Sequence, residues 1–512
     1  MSDPDQYVQA KTDSAQLSRQ SIASGLITFA AQPIKLIMGI GATAILARLV
    51  TPADFGLVAM ISPLVLLVDS LSNFGLETAT IQQQNLSHQQ ASLAFWFSLK
   101  INAAVIALMI AMGPVLAWFY QQQALSQITV VMAIGAFSLC LSFQHKALLQ
   151  RQMKFGLLTS IELIAIALST LCAIAAAWQD LGYWALVLQI VVMQVVQSIA
   201  YWTTCRWRPS PPASKKQLEK QLEKHPEDSI RSMFSYGANL TGFRFITRIS
   251  MQIDRILVGY ISGATALGFY DVAYRWAYFP FIQIYAPLFD VVVSSLSRTY
   301  NNPTTYRKYA RWSLTLLFSL CMPALALLYV TAQDVLLILL GKQWLTAIPI
   351  FQLLLIAVFV STLSRVTKWL YISSGQTKRQ LRWGLIQTPI TIAAVAIGAH
   401  WGAYGIAAGY TIGICALTYP AVIVCLKDSP LTLADFFIAV WPAATASVLS
   451  ALALFSITPL LASIVTNNLL KLCIQSIVFS MLYCAIWYCL PGGKQSATQA
   501  IAALKQQRSR KY

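Results

Sequence analysis

The sequence predicts an all-α polytopic membrane protein of about fourteen transmembrane helices: two pseudo-symmetric six-helix lobes around a central cavity, plus two C-terminal helices. Three observations predict it. Apolar runs of spanning length fill the chain almost end to end, and lysine and arginine fall in every second gap between them. Sequence marks also recur at a near-constant offset between the two halves. A hydrocarbon core about 30 Å thick takes roughly 20 apolar residues in a helix. With 57% hydrophobic and 11% charged residues in 512, the composition argues against a soluble enzyme.

Polar residues precede the first apolar run, which is already of full spanning length, so no cleaved leader is expected. The expected spans of the N-terminal lobe (1–203) are 22–47, 55–77, 91–118, 126–144, 156–178 and 183–203. A charged cytoplasmic linker, 204–232, follows, opened by Pro209, Pro211 and Pro212 and continued by mixed Lys, Glu and Gln. The C-terminal lobe (233–426) is expected to hold spans 233–261, 268–296, 312–332, 347–373, 384–400 and 404–426. Two additional helices, 436–458 and 469–490, fill 427–490, and a basic tail occupies 491–512. With the N-terminus placed in the cytoplasm, 25 cations fall in cytoplasmic segments, whereas Arg48, Lys342 and Lys471 lie opposite. That asymmetry predicts a multi-pass inner-membrane protein with both termini cytoplasmic. It also accounts for the net charge of +18 without any nucleic-acid partner, and adds an attraction to anionic membrane lipids.

The two-lobe expectation rests on repeated marks. Phe55-Gly56 after the first span matches Leu267-Gly268 after the seventh, each read as an external hairpin. Gly182-Tyr-Trp matches Gly402-Ala-Tyr, and Lys154-Phe155-Gly156 matches Arg382-Trp383-Gly384. Similar offsets at equivalent turns predict a duplication in the same orientation.

Charges within spans carry the functional signal, because an ionised residue at the bilayer centre costs roughly 2.5–3.5 kcal/mol on insertion. Arg244, Arg248 and Arg255 fall on one stripe of the seventh span, rising about 16 Å, with Asp254 roughly 80° away. Lys35 lies on a polar arc of the first span with Ser24, Thr28, Gln32 and Gly39, and is close to the repeat mate of Arg248. Lys100 and Arg275 add further cations. Several cations on related helices at membrane depth suit an anionic ligand, since arginine offers phosphate oxygens a planar fork of donors. The alternative is that these cations pair with Asp69, Glu77, Glu162 and Asp290. Asp69, Glu77 and Asp254 are the candidates for coupling to an ion gradient. No metal site, cofactor or catalytic residue is expected. Most of the nine cysteines lie in apolar runs without metal spacing, the four histidines do not cluster, and no phosphate-binding glycine loop or nucleophile elbow is present.

Arg48-Leu-Val-Thr-Pro52-Ala-Asp-Phe55-Gly56, Gly75-Leu-Glu-Thr-Ala-Thr-Ile-Gln82 and Arg151-Gln-Met-Lys-Phe155 resemble the N-terminal half of bacterial polysaccharide-export flippases. Gln252-Ile-Asp254-Arg-Ile-Leu-Val-Gly259, Leu267-Gly268-Phe-Tyr270 and Leu340-Gly341-Lys-Gln-Trp344 are similar to later stretches of that family, the Wzx-type branch of the MOP (multidrug, oligosaccharidyl-lipid, polysaccharide) exporters. The chain departs from the family at Gln252, where Asn is frequent. The resemblance implies a non-enzymatic flippase for oligosaccharide repeat units on polyprenyl pyrophosphate, serving exopolysaccharide or lipopolysaccharide biosynthesis. It also implies a polysaccharide polymerase and chain-length machinery as partners. Two other classes share parts of this pattern. A cation-coupled drug antiporter of the same superfamily would favour an acidic or neutral cleft. A membrane polymerase or glycosyltransferase would need a larger extramembrane region with catalytic acids.

Overall fold

The computed structural model describes residues 14–72, 86–211, 252–427 and 429–490, with positions 77, 80, 81 and 83 between the first two. Helix dominates these residues, and no strand occurs among them. The helices are α1 (Ser14–Leu49), α2 (Pro52–Ser72), α3 (His88–Tyr120), α4 (Ala124–Cys140), α5 (Phe143–Arg151), α6 (Phe155–Trp178), α7 (Tyr183–Thr204) and α8 (Ile253–Thr299). They continue with α9 (Pro303–Val330), α10 (Ala332–Leu339), α11 (Ile348–Arg365), α12 (Thr367–Ser373), α13 (Thr377–Gly398), α14 (Gly402–Leu426), α15 (Leu433–Ile464) and α16 (Asn468–Cys489).

Twelve helical segments among the described residues are long and apolar enough to cross a membrane, so the chain is a multi-pass membrane protein. Four of the twelve contain a break, two of them at the short gaps between α4 and α5 and between α11 and α12. Gly263 (φ 79°) interrupts α8 in a backbone region open to glycine, and Gly402 (φ 66°) separates α13 from α14. Most of the expected seventh span, 233–251, lies outside the described residues. The surface is that of a protein solvated by hydrocarbon: Ile37, Leu385, Ile412 and Phe455 are well exposed. Trp118, Trp178 and Trp401 project near helix ends, where amphipathic rings favour the interface.

Helix starts follow the sequence. Ser87 and Gln90 form a reciprocal capping box at α3, as Thr432 and Asp435 do at α15. Pro303 occupies the first position of α9 behind an Asn302 cap. Internal prolines, such as Pro114, Pro323 and Pro420, are tolerated because neighbouring helices in a membrane re-satisfy freed backbone groups.

The chain divides into two compact units, 1–268 and 269–512. In the first, α6 packs on α7 and α1, α4 on α3 and α7, and α2 on α3. Gly56 lies within α2 and Gly268 within α8, rather than in the hairpins read from the sequence. A Cβ on Gly56 would overlap the carbonyl of Ala264, and one on Gly268 would overlap that of Pro52. The glycines therefore serve close backbone approach. After α7, residues 205–211 dock back on α3. Buried Trp207 donates from Nε1 to His88 Nδ1 at 3.0 Å, His88 Nε2 lies 2.8 Å from Ser210 Oγ, and Trp96 Nε1 donates to the Ser210 carbonyl at 2.7 Å. The opening of the expected linker is thus part of a packed aromatic cluster with Phe95, Tyr201 and Trp202.

In the second unit α9 packs on α15 and α11, and α14 on α13 and α11. The two C-terminal helices are attached by charge as well as packing. Lys471 Nζ of α16 lies 3.0 Å from Asp334 Oδ1 of α10, both well buried. Asp435 of α15 lies 3.6 Å from Arg311 and 3.9 Å from Arg307 of α9.

Candidate substrate-binding site

Each cation read from the sequence occupies a different environment. Lys35 of α1 is paired with Glu162 of α6, so its charge has a carboxylate beside it. Arg244 and Arg248 lie outside the described residues. Arg255 is buried near the start of α8, where Nη1 donates to Gln252 Oε1 at 3.0 Å; neighbouring Asp254 is also buried. Lys100 projects from α3 with an exposed side chain. Arg275 is exposed and donates from Nε to Asp271 Oδ2 one helical turn earlier, at 3.1 Å. Of the carboxylates proposed for ion coupling, Glu77 pairs with Lys146 at 3.3 Å and Asp69 is exposed. Arg151 donates to the carbonyls of Thr80 and Ile81 at 3.1 and 3.4 Å, holding the chain that leads into α3.

Sequence reasoning missed a denser arrangement in the second unit. One face of α8 carries Tyr270, Tyr274, Tyr278, Phe281, Tyr285 and Phe289, spaced four, four, three, four and four residues apart. This is the spacing of a single helix face, and the rise from first to last is about 28 Å, close to a hydrocarbon thickness. Tyr274 stacks on Tyr278 with centroids 4.4 Å apart, and Tyr285 stacks on Phe281 at 4.9 Å and on Trp369 at 5.3 Å. Against this stripe lie two cations from α11 and α12. The Arg365 guanidinium is over Tyr278 at 4.7 Å and Phe281 at 5.3 Å, and Lys368 Nζ is over Phe289 at 5.1 Å.

Aromatic rings attract a cation through their quadrupole, most strongly where water is excluded. Arg365 Nε makes one long hydrogen bond, 3.4 Å to Ser361 Oγ. Among the described residues, neither Arg365 nor Lys368 has a carboxylate within ion-pair distance. The Tyr278 and Tyr410 hydroxyls are 2.8 Å apart beside Arg365, and Tyr285 Oη donates to the Arg365 carbonyl at 3.2 Å. The sequence held a signal for this cluster: two cations three residues apart inside an apolar span, beside another span with aromatic residues at helical spacing. No motif marks it.

A family model described as "Polysaccharide biosynthesis protein" matches residues 45–349. The chain is 26% identical over 314 residues to the teichuronic acid biosynthesis protein TuaB of Bacillus subtilis (strain 168). That match covers 61% of this chain and 62% of that protein. It is 21% identical over 386 residues to the lipopolysaccharide biosynthesis protein WzxC of Escherichia coli (strain K12), covering 74% of this chain and 75% of that one. The fold is similar to that of the lipid II flippase MurJ in an inward closed conformation, with a TM-score of 0.66 and 14% identity, over 91% of this chain and 98% of the other. The match over 45–349 takes in α2 to α7, all of α8 with its aromatic face, and α9 and α10. On that extent of shared sequence, the chain belongs to the polysaccharide biosynthesis protein family.

Proposed function

We propose that this protein is a flippase of the bacterial inner membrane, with both termini cytoplasmic. It moves oligosaccharide repeat units on polyprenyl pyrophosphate from the cytoplasmic to the outer leaflet for polysaccharide biosynthesis. The family match over residues 45–349 carries this reading. The names of TuaB, a teichuronic acid biosynthesis protein, and WzxC, a lipopolysaccharide biosynthesis protein, agree with it. Transport proceeds by alternating access of two repeat-related lobes without covalent chemistry.

Lys35, Arg244 and Arg248 would hold the pyrophosphate, Arg255 would receive it nearer the outer face, and Lys100 and Arg275 would add positive potential. For Lys35 this requires exchange of Glu162 for the substrate. Asp69, Glu77 and Asp254 remain the candidate carboxylates for ion coupling, and a polymerase with its chain-length machinery would receive the product. A drug–cation antiporter on the same fold is the less supported reading, because carboxylate-free cations at membrane depth repel a cationic cargo.

The test is transbilayer movement of a polyprenyl-pyrophosphate oligosaccharide in vesicles holding the purified protein, compared with Arg248→Ala and Lys35→Ala of equal insertion. Movement by the wild type and its loss in both variants is expected. Movement in all three would retain the flippase and remove these residues from the site. Absence of wild-type movement with a matched glycan, with and without an ion gradient, would remove the function.

A further inference from the structure

Where α5 turns into α6 and the chain leaves α7, the first unit holds a cavity of about 280 Å³. It is lined by Gln152, Lys154, Thr204, Cys205 and Arg206, none of which enters the transport mechanism above. We propose that this cavity binds the phosphate headgroup of an anionic membrane lipid, gripped by Lys154 and Arg206. The assignment is independent of what the protein transports.

The position of these residues along the chain sets the depth of the cavity. Gln152 and Lys154 lie in the turn between the spanning segments Ala124–Arg151 and Phe155–Trp178, and Thr204 to Arg206 end the segment Tyr183–Thr204. The ends of three spans therefore share one level, with α6 packed on α7. The cavity sits at the edge of the hydrocarbon, where lipid phosphates lie, rather than within it. The expected topology assigns this face to the cytoplasm, the side on which juxtamembrane cations meet anionic lipid.

Charge and backbone geometry point to the ligand. Lys154 and Arg206 bring two positive charges to the cavity, and no carboxylate lines it. Among the described residues, neither side chain has a hydrogen bond or an ion pair. Neighbouring cations are committed: Arg151 donates to the carbonyls of Thr80 and Ile81, and Arg208 Nη1 to those of Cys205 and Trp207 at 2.7 and 2.8 Å. Both lining cations are presented from fixed backbone. Lys154 follows Met153, whose left-handed conformation (φ 58°) turns the chain, and the Lys154 N–H donates to the Leu149 carbonyl at 3.1 Å. Arg206 stands between buried Cys205 and buried Trp207, in the segment docked on α3 through His88 and Trp96. The start of α6 at Lys154 has no side-chain cap, so its first N–H groups add positive potential there. An ammonium and a guanidinium match phosphate oxygens. An anion between them also relieves their mutual repulsion, which a headgroup without net charge does not.

The experiment is native mass spectrometry of the full-length protein, stripped of lipid in detergent and titrated with phosphatidylglycerol or with phosphatidylcholine. Wild type is compared with Lys154→Gln, Arg206→Gln, the double variant, and Lys308→Gln as an exposed cation outside the cavity lining. Phosphatidylglycerol binding is expected to weaken about fivefold in each single cavity variant and about 25-fold in the double, with Lys308→Gln unchanged. The rise in thermal midpoint on adding phosphatidylglycerol should shrink in the same order. Both cations are exposed, and either single variant decides the question if the other does not fold. Phosphatidylglycerol binding equal in all folded variants overturns the site. Equal weakening in Lys308→Gln also overturns it, because net charge alone would then attract the lipid. Phosphatidylcholine bound as tightly as phosphatidylglycerol overturns the anionic assignment. A separate arm adds excess inorganic phosphate to the wild type. Retention of phosphatidylglycerol supports the lipid, whereas its displacement assigns the cavity to free phosphate and overturns the proposal.

Discussion

Lys35 and Arg365 are both cations inside membrane-spanning helices, yet the protein houses them in opposite ways. Lys35 faces Glu162 across α1 and α6, so the pair is close to electrically neutral and joins two helices. Arg365 faces Tyr278 and Phe281, so its place is fixed while its charge is retained. Counting intramembrane cations therefore says little about ligand binding until each partner is known. A carboxylate partner makes the cation a clasp; an aromatic partner leaves its charge in place.

The comparison breaks most directly at the clasp. Lys35→Met leaves Glu162 without its cation, and a loss of about 2–3 kcal/mol is expected, read as a fall in the thermal midpoint of the detergent-solubilised protein. The exchanged pair Lys35→Glu with Glu162→Lys should regain most of it. A single variant as stable as wild type would show that the pair contributes nothing to the fold. On the second unit's own clasp, Lys471→Met should cost about 2 kcal/mol and increase proteolysis at 465–467, the joint between α15 and α16. Adding Asp334→Leu should recover stability, because no buried carboxylate is then left alone. Intact α16 at wild-type protease levels in the single variant would contradict this.

Glu162→Gln sharpens the contrast from the other side, since it frees Lys35 for an anion. Farnesyl pyrophosphate binding should tighten roughly threefold, about 0.7 kcal/mol, if Lys35 belongs to the substrate site. No change would confine Lys35 to the clasp. The smallest effect belongs to the exposed pairs. Arg311→Gln should cost under about 1 kcal/mol, diminishing further in high salt, because Arg307 also approaches Asp435 and Thr432 still caps α15. A larger, salt-independent loss would mean that this end of α15 is held by charge.

Much of the fold was legible because apolar runs of spanning length dictate where helices lie. The expected span 156–178 is α6 within one residue, and 469–490 is α16 within one residue. What the hydropathy pattern does not encode is what lies between helices. Gly56 and Gly268 were readable as marks of a repeat, but their reason, backbone carbonyls of another helix pressed against them, exists only in three dimensions. Residues 205–211 read as a polar, proline-rich exit, yet Trp207 is buried against His88 because the aromatic cluster beneath it comes from α3 and α7.

The candidate site divides in the same way. Lys35 and Arg255 were visible as charges at helical positions, and Glu162 stood among four possible partners; that Lys35 meets this one, 127 residues away, is decided by how α1 packs on α6. Arg365 and Lys368 were equally visible as charges, on one arc of their span with Ser361 and Ser364. Their significance depends on an aromatic face carried by α8, about 80 residues earlier in the chain.

The aromatic seat of Arg365 also bears on membrane voltage. Moving one elementary charge across the membrane potential is worth roughly 2.3 kcal/mol per 100 mV. Lys35 beside Glu162 carries little net charge, so a shift of that pair does little electrical work. Arg365 over Tyr278 and Phe281 keeps its charge, so any conformational step that displaced it through the field would be driven or opposed by the membrane potential.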